Sequence, residues 1–126
     1  MSEETTAVSA RTPAPTGHHR WADYIRSLSE RKLVASPACL TADFIWRNLQ
    51  LEVPGIYPPD TSPTDDGTLM MSWIRDEHHL EIEVMPSGHY VWFYKNHELN
   101  LDDIGKGSPT DEPSPAFVEK ARLVFA

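Results

Sequence analysis

The stretch TLMMSWIRDEHHLEIEVMPSGHYVWFY, residues 68–94, contains three runs of alternating apolar and polar residues separated by two turn signals. Alternation with a period of two is typical of strands with one buried face, and short turns between such runs are typical of antiparallel hairpins. The stretch therefore predicts a three-stranded antiparallel meander. The rest of the chain is expected to cover this sheet or to extend from it.

The first turn decides which side chains share a face. A two-residue turn at positions 76–77 pairs Trp73 with Leu80, and the apolar residues of both strands then point the same way. A longer loop that shifts the pairing by two residues keeps the same faces, whereas a slip by one residue would bury Glu81 and Glu83 instead. Burial of the apolar face therefore sets the parity of the pairing.

The second turn is Pro86-Ser87-Gly88. Proline presets the φ angle that a type I turn requires, and glycine adopts the left-handed conformation of a G1 bulge. This three-residue loop places the aromatic residues of the third strand on the Leu80 face: Tyr90, Trp92 and Tyr94. A two-residue turn would place Val91 and Phe93 there instead, but the turn chemistry favours the bulge.

The opposite face of the predicted sheet is partly apolar and partly acidic. Its apolar members are Met70, Ile74, Met85, Val91 and Phe93. An apolar patch that no helix covers commonly marks an interface, and twofold dimers are the commonest assemblies. We therefore predict a protein-binding surface formed by Ile74, His79, Glu81, Glu83, Val91 and Phe93.

Three helices are predicted outside the meander. The first begins at His18 and has an apolar stripe of Trp21, Tyr24, Ile25 and Leu28. The second begins at Ser36-Pro37, with Ser36 as N-cap, and ends at Pro54-Gly55. The third is capped by Ser114-Pro115. The second helix also has a ridge of Leu40, Phe44 and Leu51, which predicts contacts from two directions.

The predicted fold is α+β: a three-stranded antiparallel meander with two N-terminal helices and one C-terminal helix packed on one face. Residues 1–17 are predicted to form a disordered tail, since they are small, polar and proline-containing. Residues 18–126 are predicted to form one domain. Within it, residues 54–67 predict an extended approach to the sheet. Residues 96–115 predict a loop, with at most a short turn around Leu99 to Ile104.

The net charge of −8 is concentrated in residues 52–112, which contain thirteen acidic residues and only three basic ones. This acidity argues against a nucleic-acid partner, which requires a basic surface, and is compatible with a basic protein partner. The sequence contains no membrane-spanning apolar run and no signal-peptide pattern. Cys39 is the single cysteine, which rules out an internal disulfide. We expect a cytoplasmic protein.

No motif for catalysis or for binding a nucleotide, metal or other cofactor is evident, so we predict that the protein is not an enzyme and has no cofactor. The alternative hypothesis is a small-molecule or metal-binding enzyme subunit. It would use a loose patch of His79, His89, Glu81 and Glu83, which lacks the spacing of a recognised ligand set.

The segments PGIYPPDTSPTDDGTLMMSW and HLEIEVMPSGHYVWFY contain a proline-led approach strand, Asp66-Gly67, a strand ending in Trp73 and a hairpin turn at Gly88. In these features the chain resembles a widespread group of small bacterial proteins of unassigned function. The resemblance covers roughly half of the chain. It implies an α+β fold and a bacterial or mobile-element setting, and it implies no activity.

The function hypothesis is a small acidic protein-interaction module, of the antitoxin, immunity or anti-defence inhibitor type. Its partner is expected to be a protein or a second copy of the chain. A homodimer through the predicted surface would bring Glu81 and Glu83 close to their copies, whereas a basic partner would neutralise them.

Overall fold

The computed structural model describes residues 17–126 and shows an α+β fold with three helices and a five-stranded antiparallel sheet. Each strand lies beside its neighbours in the chain, in the order β1-β2-β3-β4-β5. The elements are α1 (Gly17–Glu30), α2 (Ser36–Glu52), β1 (Asp60–Pro63), β2 (Leu69–Arg75), β3 (His78–Val84), β4 (Tyr90–Asn96), β5 (Leu101–Gly107) and α3 (Pro115–Val124). The predicted tail, residues 1–17, lies outside the described residues except for Gly17, where α1 begins.

The central meander, β2 to β4, has the predicted register. Trp73 lies opposite Leu80 across the two-residue turn, and Val84 lies opposite Tyr90 across the three-residue turn. Gly88 has a φ of 93°, the left-handed conformation that the G1 bulge requires. The three-residue turn is therefore confirmed, and of the two alternatives for the first turn the structure has the two-residue turn. The faces of the three strands are as predicted.

The prediction of three strands is wrong, because β1 and β5 extend the sheet at its two edges. In β1, Asp60 lies opposite Ser72 and Pro63 opposite Leu69. The four residues of β1, DTSP, include no large apolar side chain, so the strand leaves no period-two signal in the sequence. It is held by pairing with β2 and by the Trp21 Nε1–H, which donates to the Thr61 hydroxyl at 2.9 Å.

Residues 101–107, for which the sequence predicts a loop, form β5 beside β4. Gly105 lies opposite Trp92 and Gly107 opposite Tyr90. A Cβ atom on Gly105 would lie 2.5 Å from Trp92 Cε2, and one on Gly107 would overlap the Tyr90 ring. The aromatic rings of β4 thus cover the glycines of β5 and supply the packing that the strand lacks on its own.

The helices cover one face of the sheet, which we call the inner face. The buried strand residues on it are Leu69, Met71, Trp73, Leu80, Ile82, Val84, Tyr90, Trp92 and Tyr94. They pack with buried helix residues that include Trp21, Ile25, Leu28, Ala42, Ile45, Leu49, Phe117, Ala121 and Val124. No element of residues 17–126 covers the opposite face, which we call the outer face: Ile74 and Ile104 on it are 64% and 61% exposed.

The three helices begin where predicted to within a residue, and α3 has the predicted cap. The Ser114 hydroxyl accepts a hydrogen bond from the Phe117 N–H at 3.2 Å. In α2 the N-cap is Ala35 rather than Ser36, which is the first helical residue. The Ser36 hydroxyl lies 3.1 Å from the Ser29 hydroxyl of α1, so it links two helices instead of capping one.

The ridge on the far side of α2 is exposed, so the prediction that both apolar sides of α2 are contacted is wrong for this side. Leu40 is 72% exposed and Leu51 85% exposed. The buried residues of α2, which include Ala38, Ala42, Ile45 and Leu49, lie on its other side, and α2 contacts α1, α3 and the sheet.

We expect Trp73→Ala to lower the free energy of unfolding by about 3–5 kcal/mol, the usual result of removing a buried tryptophan. Trp73 is 2% exposed, and its indole N–H donates to the Tyr57 carbonyl at 2.7 Å. Chemical denaturation provides the measurement. Ile74→Ala, the next residue on the outer face, is the matched control and should lower stability by well under half as much. Equal losses in the two variants would contradict the assignment of the faces.

We expect Gly105→Ala to destabilise the protein by about 1–3 kcal/mol, because the new methyl group overlaps the Trp92 ring in a packed position. The neighbouring variant Ile104→Ala alters an exposed side chain and should have little effect. Denaturation midpoints compare the two. A Gly105→Ala protein as stable as the wild type would show that Trp92 does not lie against β5.

Candidate functional site

The outer face is formed by the side chains that alternate with the buried ones along each strand. Because the strands pair in register, these side chains form rows across the sheet. The central row is Asp60, Ser72, Glu81, Phe93 and Ile104. The row on one side is Ser62, Met70, Glu83, Val91 and Lys106. The row on the other side is Ile74, His79, Lys95 and Asp102.

The structure brings all six residues of the predicted protein-binding surface together on this face. They are Ile74 on β2, His79, Glu81 and Glu83 on β3, and Val91 and Phe93 on β4. Ile74 is 64% exposed and Phe93 39% exposed, and the other four side chains are half-buried. The six residues span three adjacent strands and form one patch. Their binding to a partner stays a prediction.

The two carboxylates at the centre of the patch have apolar or small cross-strand neighbours. Glu81 lies between Ser72 and Phe93, and Glu83 lies between Met70 and Val91. Neither carboxylate has a Lys or Arg side chain directly opposite on the adjacent strands. A cation brought by a partner would therefore meet carboxylates that the cross-strand pairs leave uncompensated.

An open depression of about 460 Å³ lies on the outer face between β1 and β3. It is lined by small and flexible side chains and by two acidic ones. The lining residues are Asp60, Thr61, Ser62, Met70, Met71, Ser72 and Glu81. Asp60 and Glu81 flank Ser72 two strand spacings apart, roughly 10 Å. The depression suits a slender side chain with a cationic end.

The histidines of the meander do not form a metal site. His79 Nε2 lies 3.4 Å from Glu81 Oε1, and its ring stacks on His97 at 6.2 Å between centroids. His89 lies opposite Met85 at the far end of β3, roughly 20 Å away along the strand. His78 points away from His79, as predicted, and its Nδ1 lies 2.6 Å from the Tyr94 hydroxyl. Among the residues that the structure describes, no group of three or more His, Cys, Asp or Glu side chains has the geometry to hold a metal ion.

Sequence reasoning missed five members of the outer face, because it missed β1 and β5. They extend the face in both directions: Asp60 and Ser62 on β1, and Asp102, Ile104 and Lys106 on β5. One pattern in the sequence points to β5: two glycines spaced by two, at 105 and 107, match two large aromatics spaced by two, at 90 and 92. That complementarity is visible only once the register of the strands is known.

Two titratable groups that could suggest chemistry are part of the core. Burial raises the pKa of the Cys39 thiol, whose Sγ lies 3.6 Å from the Ile25 carbonyl. Burial, with a contribution from the nearby Asp111 carboxylate, raises the pKa of Tyr90. Both shifts favour the neutral form. These groups fill space in the interior and present no nucleophile to solvent.

The acidic loop before β2 is a structural turn. The Asp66 carboxylate accepts hydrogen bonds from the Thr64 hydroxyl at 2.5 Å and from the Thr68 N–H at 3.1 Å. These bonds favour the ionised form and lower the pKa of Asp66. Gly67, with a φ of 87°, completes the turn. The Asp-Gly pair that is prominent in the sequence therefore orients β2 against β1.

Comparison of the chain with protein-family models, with curated proteins and with solved structures found no match. The resemblance to small bacterial proteins therefore stays a prediction. None of the described helices combines the length and the apolar character needed to cross a membrane.

We expect the Cys39 thiol to react with iodoacetamide at least about tenfold more slowly in the native protein than in denaturant, because burial limits access and raises the pKa of the thiol. Mass spectrometry of samples quenched over time measures both rates. Equal rates would place Cys39 at the surface and reopen it as a candidate nucleophile.

Proposed function

We propose that this protein is a small acidic protein-binding module whose outer face binds a partner protein carrying basic groups among apolar ones. The observation that carries the proposal is the outer face, which no element of residues 17–126 covers and on which Phe93 lies beside Glu81, and Met70 and Val91 lie beside Glu83. The class of function is inhibition by occupation, as in antitoxins, immunity proteins and anti-defence inhibitors.

The apolar part of the outer face includes three large side chains spread over the sheet. Ile74, Phe93 and Ile104 are 64%, 39% and 61% exposed. Large apolar side chains on a face that no helix covers lose contact with water when a partner binds, and exposed patches of this kind are characteristic of interaction sites. The patch therefore supplies affinity.

The charged part of the outer face is acidic near β1. Asp60 and Glu81 stand on either side of Ser72, within the depression described above. The end of an Arg or Lys side chain placed above Ser72 would reach both carboxylates, and Arg would offer each one a hydrogen bond. The net charge of −8 attracts a basic partner over a longer range and accelerates its association.

The enzyme alternative has less support. It requires His79 and His89 to act together, and the fold places them at opposite ends of β3. No observation on the described residues favours it over the binding module.

The test is affinity capture from the source cells with the wild type and two variants of the outer face, Ile74→Glu and Glu81→Lys. We expect a partner that the wild type retains at low salt, that high salt weakens, and that both variants lose. Leu40→Glu is the matched control, since Leu40 is 72% exposed on α2 on the helical side of the protein.

Comparison with the Leu40→Glu control shows which results would contradict the proposal. A partner lost with Leu40→Glu and kept with Ile74→Glu would place the binding surface on the α2 ridge. Capture of no specific partner at either salt concentration would count against a binding module altogether.

A further inference from the structure

The two edges of the sheet are unequal. The β1 edge is four residues long and ends at Pro63, which has no N–H, and the Tyr24 hydroxyl of α1 donates to the Thr61 carbonyl at 3.4 Å. The β5 edge is seven residues long, and its Leu101 and Ile104 side chains are 56% and 61% exposed. Proline and covering groups protect an edge strand from pairing. By this criterion, and among residues 17–126, the β1 edge is closed and the β5 edge is open.

The backbone groups that β5 presents at its edge follow from one hydrogen bond. The Ile104 N–H donates to Asp103 Oδ1 at 2.9 Å, not to β4. In an antiparallel ladder, alternate residues direct both backbone groups toward the same neighbour. Asp102, Ile104 and Lys106 therefore direct their N–H and C=O groups away from β4, where another strand could receive them.

We propose that a second copy of this chain pairs with β5 in antiparallel orientation, with Ile104 opposite Ile104 of the second copy. The twofold axis passes through this pair and stands perpendicular to the sheet. The two sheets of five strands then form one continuous sheet of ten strands, with both outer faces on the same side.

The charges of β5 select this register. With Ile104 on the axis, each Asp102 lies opposite Lys106 of the other copy, and both pairs are on the outer face. Opposite charges directly across a strand pair stabilise it, and like charges destabilise it. A shift by two residues along the strand places Ile104 opposite Asp102 or Lys106 of the other copy. A shift by four residues places Asp102, or in the other direction Lys106, opposite its own copy. The charges of Asp102 and Lys106 disfavour pairing with a strand that lacks the complementary charges, and they favour pairing with a second copy of β5.

The pairing also extends the apolar part of the outer face. Three backbone-bonded residue pairs provide about six hydrogen bonds between the copies. Phe93 lies beside Ile104 in the central row, so the dimer joins two such pairs into one apolar stripe across the axis. A dimer formed by stacking two outer faces would instead bring Glu81 and Glu83 of both copies together.

One contact opposes the pairing. Asp103 Oδ1 accepts the Ile104 N–H that the second copy must receive, and its Oδ2 lies 3.7 Å from Lys120 Nζ. Release of the N–H leaves the carboxylate beside Lys120, so its charge stays compensated. The competing bond makes the dimer weaker without blocking it.

The test uses sedimentation of the full chain with two charge variants, Asp102→Lys and Lys106→Asp, over a range of concentrations. We expect the wild type to shift from 14.3 kDa toward twice that mass as concentration rises. Each variant alone places like charges opposite each other twice and should stay monomeric. An equimolar mixture of the two variants pairs Lys with Asp at both positions and should recover the dimer. Circular dichroism confirms that both variants are folded.

The contrary outcomes are distinct. A wild type that is monomeric at every concentration overturns the proposal, as do single variants that dimerise like the wild type or a mixture that stays monomeric. Ile74→Glu, on β2 and separated from β5 by two strands, should leave the dimer unchanged. Loss of the dimer in this variant would place the second copy on the outer face. Because the proposal does not rest on the proposed function, failure here leaves the capture experiment with Ile74→Glu and Glu81→Lys unaffected.

Discussion

Alternation of side chains along β2, β3 and β4 is the constraint on which the rest of the structure depends. It places Trp73, Ile82 and Trp92 under the helices and Glu81 on the outer face. A slip of one residue would exchange these sets and bury unpaired carboxylates, which is far more unfavourable than any local adjustment. The outer face is therefore a necessary product of the core: the residues that pack inside determine which residues remain outside.

The outermost strand depends on the same core. Trp92 and Tyr90 are long enough to cover the backbone of β5 as well as to contact α3, where both rings lie against Phe117 at 5.7 and 6.3 Å between centroids. The glycines at 105 and 107 leave the room for this. Since the aromatic rings hold β5 from the inner side, its outward edge needs no covering element. The open edge of β5 and the open outer face thus both follow from the way β4 packs its aromatic side chains against the inner side.

The meander, its registers and the inner face could be predicted from the sequence, because they follow from period-two alternation and from the turn chemistry of Pro86 and Gly88. The six residues of the predicted protein-binding surface lie on one face for the same reason, and their binding to a partner stays a prediction. β1 and β5 could not be predicted in this way. Their residues carry little apolar periodicity, and each is held by partners distant in the chain, Trp21 for β1 and Trp92 for β5. The exposure of the α2 ridge likewise depends on the arrangement of α1 and α3, which the helical pattern alone does not determine.

The central claim is that one face of the sheet is sealed by helices and the other is open. Solution NMR of methyl groups with a soluble paramagnetic agent measures this directly. The account predicts strong broadening of the Ile74 and Met70 methyl signals, and little broadening for Leu80 and Ile82, which are fully buried. Equal broadening of the two groups, or protection of Ile74 in the dilute monomer, would contradict it.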